Sequence, residues 1–229
     1  MDERISAYHE AGHAVVAFEL GKWDYMDEVS MTLGGDVLGS VTFSEDGKRS
    51  KALAIAAARG KAALLEASVG DLAAHLGQEL ADKEIDSWDD RWFDGVLRYW
   101  TIAGDRWVEV CLAGHVAEEV FCGISADAYF SGQQNDLETD EGQALDLLAR
   151  LTDVGQAFYL AEQLGRCTEA SQAVDCSSYI DLRWQAVSQL LGGKYRAAVE
   201  ALVERLPVSY THLRAHETDS YLVCRLLLE

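Results

Sequence analysis

Residues 7–21 read AYHEAGHAVVAFELG, and within them His9 and His13 stand four positions apart with Glu10 between. On a helix, positions i and i+4 lie one turn apart on the same face, so both imidazoles can offer a nitrogen to one ion at about 2.0–2.1 Å. Glu10 is offset to the side of that pair. From there a carboxylate reaches a water at the ion without occupying the ion, the placement a general base for hydrolysis needs. Zinc would lower the pKa of that water towards about 7 and polarise a carbonyl, so no nucleophilic side chain is required. The competing explanation is two core histidines that share a face by accident. A chance HExxH in a chain of this length arises on the order of once per hundred sequences, which favours a metal site.

A catalytic zinc takes a third protein ligand and leaves one position for water. The extended metzincin pattern would put Gly at position 16 and His at 19; the chain has Val16 and Glu19, which excludes that class. His75 and His115 stand in no ligand pattern. His212 and His216 repeat the spacing, but Leu213 stands where the acid would be, so no hydrolytic centre is expected there. What remains are the carboxylates of AGHVAEEVFCG, residues 113–123, and SGQQNDLETDEGQALDLL, residues 131–148. In the second run Asp136 falls in the first turns of a helix that Ser131 or Asn135 can cap, where a carboxylate is favourable in any case. In the first, Glu118 shares a helical stripe with Trp107, Cys111 and Gly114, which points to burial. Residue types alone do not choose among these acids.

Taken together and in order, YHEAGHAVVA, LAGHVAEEVFCG and SGQQNDLETDEGQALDLLARL resemble the peptidase domain of the FtsH-type zinc metallopeptidases. That pattern reads HEAGHA, then AGRxAEE, then a Gly-containing turn and NDL at the start of a helix. The likeness extends loosely over residues 4–206. It implies a zincin-like, mostly α domain in which His9 and His13 ligate zinc, Glu10 is the base and Asp136 is the third ligand. Glu118 matches the first acid after AGRxA, which implies that it accepts a hydrogen bond from a ligating histidine; Glu119 is expected to be an ordinary charged residue. The chain departs from the pattern at His115, which replaces the arginine of AGR, and in carrying no GxxxxGK[ST] loop. Its acidic, Trp-rich segment also has no clear counterpart.

The elements that must position these groups follow from periodicity. Residues 2–20 read as a helix with Ile5, Val16 and Leu20 on the histidine stripe and Gly21 as its stop. VSMTL and GSVTF, separated by Gly34, Gly35 and Asp36, predict a β-hairpin. Residues 51–80 are rich in Ala and Leu and predict one or two helices. Residues 79–102 mix acids with Trp88, Trp92, Phe93, Tyr99 and Trp100, and read as an insertion whose aromatics are packing anchors or cover a groove. A helix is expected over 104–122, a third strong one over about 132–164, and a last pair within 179–206. The HExxH helix and the Glu118 helix are expected to pack through Gly12 and Gly114. The stretch from Pro207 to Glu229 reads as a tail foreign to the fold, resembling a translated sequencing adapter.

The 229 residues, 49% of them apolar, suffice for one sizeable core. A formal charge of −20 argues against a nucleic acid partner, because it repels phosphate. No run is apolar enough to span a bilayer, and MDERIS lacks the features of a secretory leader, so the cytoplasm is the expected compartment. The five cysteines form no CxxC pair and are expected to be reduced core thiols. The expected function is ATP-independent zinc endopeptidase action on peptides or unfolded protein, the substrate lying extended along an edge of the hairpin between residues 29 and 43. A zinc-holding regulatory or partner protein that cleaves nothing is the competing reading. The partners left open are further copies of the chain and a separate ATPase.

Overall fold

The structure, a computed structural model, describes residues 3–22, 25–31, 39–125, 152–170, 173–206 and 213–214. Helix α1 (Glu3–Glu19) is followed by β1 (Met26–Met31) and β2 (Gly39–Phe43), then α2 (Glu45–Ala58), α3 (Lys61–Leu76), α4 (Gln78–Asp86) and the long α5 (Asp90–Ala117). α5 runs on into a π-helical turn, Glu118–Cys122. After the segment outside the described residues come α6 (Asp153–Gln163), the short strands β3 (Thr168–Ala170) and β4 (Ala173–Asp175), α7 (Ser177–Gly192), α8 (Arg196–Arg205) and β5 (Leu213–Arg214). The protein is mostly α, as expected. No helix among the described residues is long and apolar enough to cross a membrane.

Local signals account for the helix starts. Ser44 accepts a hydrogen bond from the Gly47 N–H at the head of α2, with Glu45 and Asp46 in the first turn where the helix dipole favours acids. Asp89 accepts from the Trp92 N–H at 2.7 Å to start α5. Thr152 accepts from the Gly155 N–H at 3.1 Å to start α6. Breaks after α2 and α3 fall at Gly60 and Gly77, both at positive φ.

α5 is the axis of the fold. Its C-terminal half lies in the main core, with Trp107, Val108, Val110, Leu112 and Val116 fully buried. α1, α6, α7 and α8 contribute the other walls, including Val15, Val16, Ala157, Ile180 and Leu191. The Trp107 indole donates to Ser50 Oγ at 2.9 Å, tying α2 to this core. The N-terminal half of α5 makes a second, smaller cluster in which Phe93 meets Leu53, Ala57 and Leu64 from α2 and α3.

β1 and β2 form the expected antiparallel hairpin, with Val29 opposite Val41 and a register irregularity between Met26 and Glu28. The free side of β1 is met by β5, which pairs antiparallel at Glu28 and Val29, so part of the tail joins the sheet.

Three expectations are corrected. Residues 79–102 form α4 and the first half of α5, because the Asp89 cap starts the helix well before Gly104. Gly104 is a close-packing position and not a boundary, since a Cβ there would stand 2.6 Å from a Leu164 methyl. A continuous helix over 132–164 is broken by the extended backbone of Thr152, which caps α6. Finally, Cys167 and Cys176 are joined by a disulfide across the β3–β4 hairpin. Their local geometry brings them together, with Cα atoms 4.2 Å apart, which spacing in sequence did not reveal. Among the described residues Cys111 lies outside any disulfide, and burial pushes its thiol up to about 11, the behaviour of an inert core thiol.

Candidate metal centre

Antiparallel packing of α1 on the end of α5 builds the site. The two helices approach through small residues: a Cβ on Gly12 would stand 2.5 Å from the Ala113 carbonyl oxygen and 2.7 Å from the Ala117 methyl. Two rings stacked at 4.9 Å, Tyr8 and Phe121, hold the start of α1 against the π-helical turn. α6 is fixed against α5 by a clamp just beyond its end, where Arg166 donates twice to Asp105 at 2.9 and 3.1 Å and the Tyr179 hydroxyl donates to the same carboxylate.

This packing turns the Nε2 atoms of His9 and His13 towards each other at 3.1 Å. Asp153, the first residue of α6, completes the group: its Oδ2 is 3.0 Å from His9 Nε2 and 3.3 Å from His13 Nε2. Ligand atoms at 2.0–2.1 Å from a tetrahedral ion stand about 3.4 Å apart, so the triangle is close to the size zinc needs. The opposite ring nitrogens are committed elsewhere. His13 Nδ1–H donates to the Val110 carbonyl at 2.7 Å, and His9 Nδ1–H donates to Glu118 Oε1 at 2.7 Å. With both Nδ1 atoms acting as donors, the Nε2 lone pairs face inward beside a carboxylate oxygen. Such a set is held apart by repulsion unless a proton or a cation sits among it.

The α5 backbone leaves room for the two rings. A Cβ on Gly114 would lie 2.5 Å from His13 Nε2 and equally close to His9 Nε2, so only glycine lets both rings sit against α5. The donor chemistry and the triangle together fit zinc. His13 is enclosed, its side chain 6% exposed, whereas that of Asp153 is 44% exposed. The cluster is therefore open on the Asp153 side, the form expected where an exchangeable position is kept and not of a closed structural site.

Electrostatics without the ion follow the same geometry. Burial alone would lower the His9 pKa, but its hydrogen bonds to Asp153 and Glu118 outweigh this and the ring is pushed up to about 10. Burial would raise Asp153, yet His13 and His9 hold it far below the usual carboxylate range. Glu10 is buried and raised by that burial, against the pull of both imidazoles. A carboxylate with a raised pKa beside the cluster is suited to taking up and releasing a proton.

A second grouping of His9, His115 and Glu118 shares the first histidine. In it Glu118 is already engaged by the His9 Nδ1–H, with His115 Nδ1 at 3.4 Å from its other oxygen. The arrangement serves better to orient His9 than to hold a second ion.

Of the residues expected from sequence, the structure brings together His9, His13, Glu10 and Glu118. Asp136 lies outside the described residues. Glu119 is half-buried and accepts from the Trp184 indole at 2.5 Å, so it is a packing contact to α7 and not a plain charged residue. Asp153 is the residue that sequence reading missed. Its signal was Thr-Asp at the head of an amphipathic run, a helix start concealed by treating 132–164 as one helix. Comparisons of the chain with known protein families, curated proteins and solved structures find no match.

Proposed function

We propose that the protein is a zinc metalloendopeptidase with a zincin-like site, acting without ATP on peptides or unfolded polypeptide. The observation that carries this reading is the convergence of two imidazole nitrogens and one carboxylate oxygen within 3.3 Å, with a buried glutamate adjoining. His9, His13 and Asp153 would hold the ion, with His9 kept in its tautomer by Glu118 and His13 by the Val110 carbonyl. Zinc, when bound, supplies Lewis-acid polarisation of the scissile carbonyl and acidifies water. Glu10 takes the proton from the attacking water and returns it to the leaving amine, the task its raised pKa suits. An extended substrate would add to an edge of the hairpin between residues 29 and 43 by main-chain hydrogen bonds, which tolerate varied sequences. β5 already pairs with β1 at Glu28 and Val29, so the substrate would lie along the β2 side.

The test is degradation of casein with and without a chelator, with E10A beside the parent. The parent should lose activity on chelation and regain it with zinc. E10A should keep about one zinc per chain and lose at least about 100-fold in rate. Hydrolysis that persists in E10A contradicts the role of Glu10. Zinc retained without turnover in the parent leaves a zinc-holding partner protein as the function.

A further inference from the structure

A second concavity lies at the opposite end of α5, outside the metal centre. It is a cavity of about 580 Å³ between α3, the end of α4 and the start of α5, lined by Lys61, Ala62, Leu65, Ile85, Asp86, Trp88, Asp90 and Phe93. Its volume is in the range of pockets that bury a ligand side chain. Two of the walls are aromatic, Trp88 and Phe93, and Trp88 is tilted 43° against Trp92 at 4.0 Å between ring centres, with Trp92 45% exposed beside the lining. The indole N–H of Trp88 is buried and finds no acceptor among the described residues. The rim is acidic: Asp86 and Asp90 line it, with Asp82, Glu84, Asp89 and Asp94 close in sequence. The one cation in the lining, Lys61, is held by Asp90 at 2.5 Å and lies over the Phe93 ring.

We propose that this cavity binds an unfolded polypeptide segment in which an aromatic or aliphatic side chain stands beside lysine or arginine. The apolar floor takes the first, and the acidic rim and electron-rich ring faces take the cation. The charge excludes acidic segments. Phe93 and Gly114 are separated by about 31 Å of helix, at 1.5 Å per residue. An extended chain spans that distance in about ten residues. If the metal centre hydrolyses peptides, as proposed above, the cavity is an exosite that holds substrate about ten residues from the cleaved bond; the role as exosite rests on that reading, whereas the binding does not.

The experiment uses the full zinc-loaded chain carrying E10Q, so that binding is read without turnover. The probe is a fluorescein-labelled, unstructured 16-residue peptide with one Phe-Arg-Lys segment, followed by fluorescence anisotropy. Adding A62W, which fills the cavity from its exposed rim, should weaken the Kd at least fivefold. D86K, a surface charge reversal that leaves the packing intact, should do the same if A62W fails to fold. A probe with Phe-Glu-Glu should bind at least fivefold more weakly than Phe-Arg-Lys. With Glu10 intact, A62W should slow cleavage of the 16-residue peptide and leave a five-residue peptide unaffected. Equal affinities in the parent, A62W and D86K overturn the proposal, as does tyramine binding as tightly as the peptide, which would make the cavity a small-molecule pocket. Cavity-dependent binding without hydrolysis in the Glu10-intact chain supports the binding site and overturns only the hydrolase reading.

Discussion

The two ends of α5 are built by opposite means. At the C-terminal end, Gly12 meets the α5 backbone at Ala113, Gly114 faces the two imidazoles, and each imidazole is held by a hydrogen bond of 2.7 Å. At the N-terminal end a small cluster around Phe93 is surrounded by exposed acids, and its ion pair, Lys61 with Asp90, stands in solvent. Exposed pairs contribute little because water screens them and long side chains must be ordered to form them. Rigid spacing is thus concentrated where three ligand atoms must meet. Looser packing is left where the proposed occupant is a chain of variable sequence.

The sharpest way to break this contrast is to add one methyl group at each end. G114A places a carbon 2.5 Å from both Nε2 atoms, so zinc content by elemental analysis should fall to near zero and proteolysis by at least about 100-fold. E118Q should be milder. It keeps the shape but weakens the hold on His9 Nδ1–H, and zinc affinity by competition titration should drop about 10–100-fold.

Next in size is a pH effect midway along α5, where Lys22 is buried against the Tyr25 and Trp107 rings. Burial, reinforced by Arg106, lowers its pKa from 10.5 to about 8. Between those values the unfolded chain binds the proton and the folded one does not, so the Lys22 contribution to stability rises with pH through that window. Urea titrations at pH 8 and 10.5 should show that rise in the parent relative to K22M. The smallest effect belongs to G95A. A Cβ there meets nothing within 4 Å, so the substitution should stabilise by about 0.5–1 kcal/mol in the same titrations, the reverse of G114A.

The two ends also differed in how readable they were. α1 was legible because apolar periodicity and ligand spacing coincide on one helix, and Gly12 and Gly114 could be matched as small residues on facing stripes. Glu118 was legible from its stripe, which placed it inside. Asp153 was not, because its value as a ligand depends on where α6 enters, and that is set by the Thr152 cap and by the Arg166 clamp to Asp105, a contact 61 residues apart in sequence. The Trp-rich segment left two readings open, packing anchors or a groove cover, for a related reason. Asp89 makes its aromatics the start of the longest helix among the described residues, with Phe93 an inward packing anchor and Trp92 outward. The Cys167–Cys176 pairing depended on a hairpin of three-residue strands, too short to announce itself by alternation.

The most direct test of the account is zinc binding by D153A and D136A side by side, read as metal per chain and as Kd. His9, His13 and Asp153 as the ligand set predict that D153A loses about 100-fold or more in affinity while D136A binds as the parent does. Parental affinity in D153A, above all with zinc lost in D136A, would contradict it.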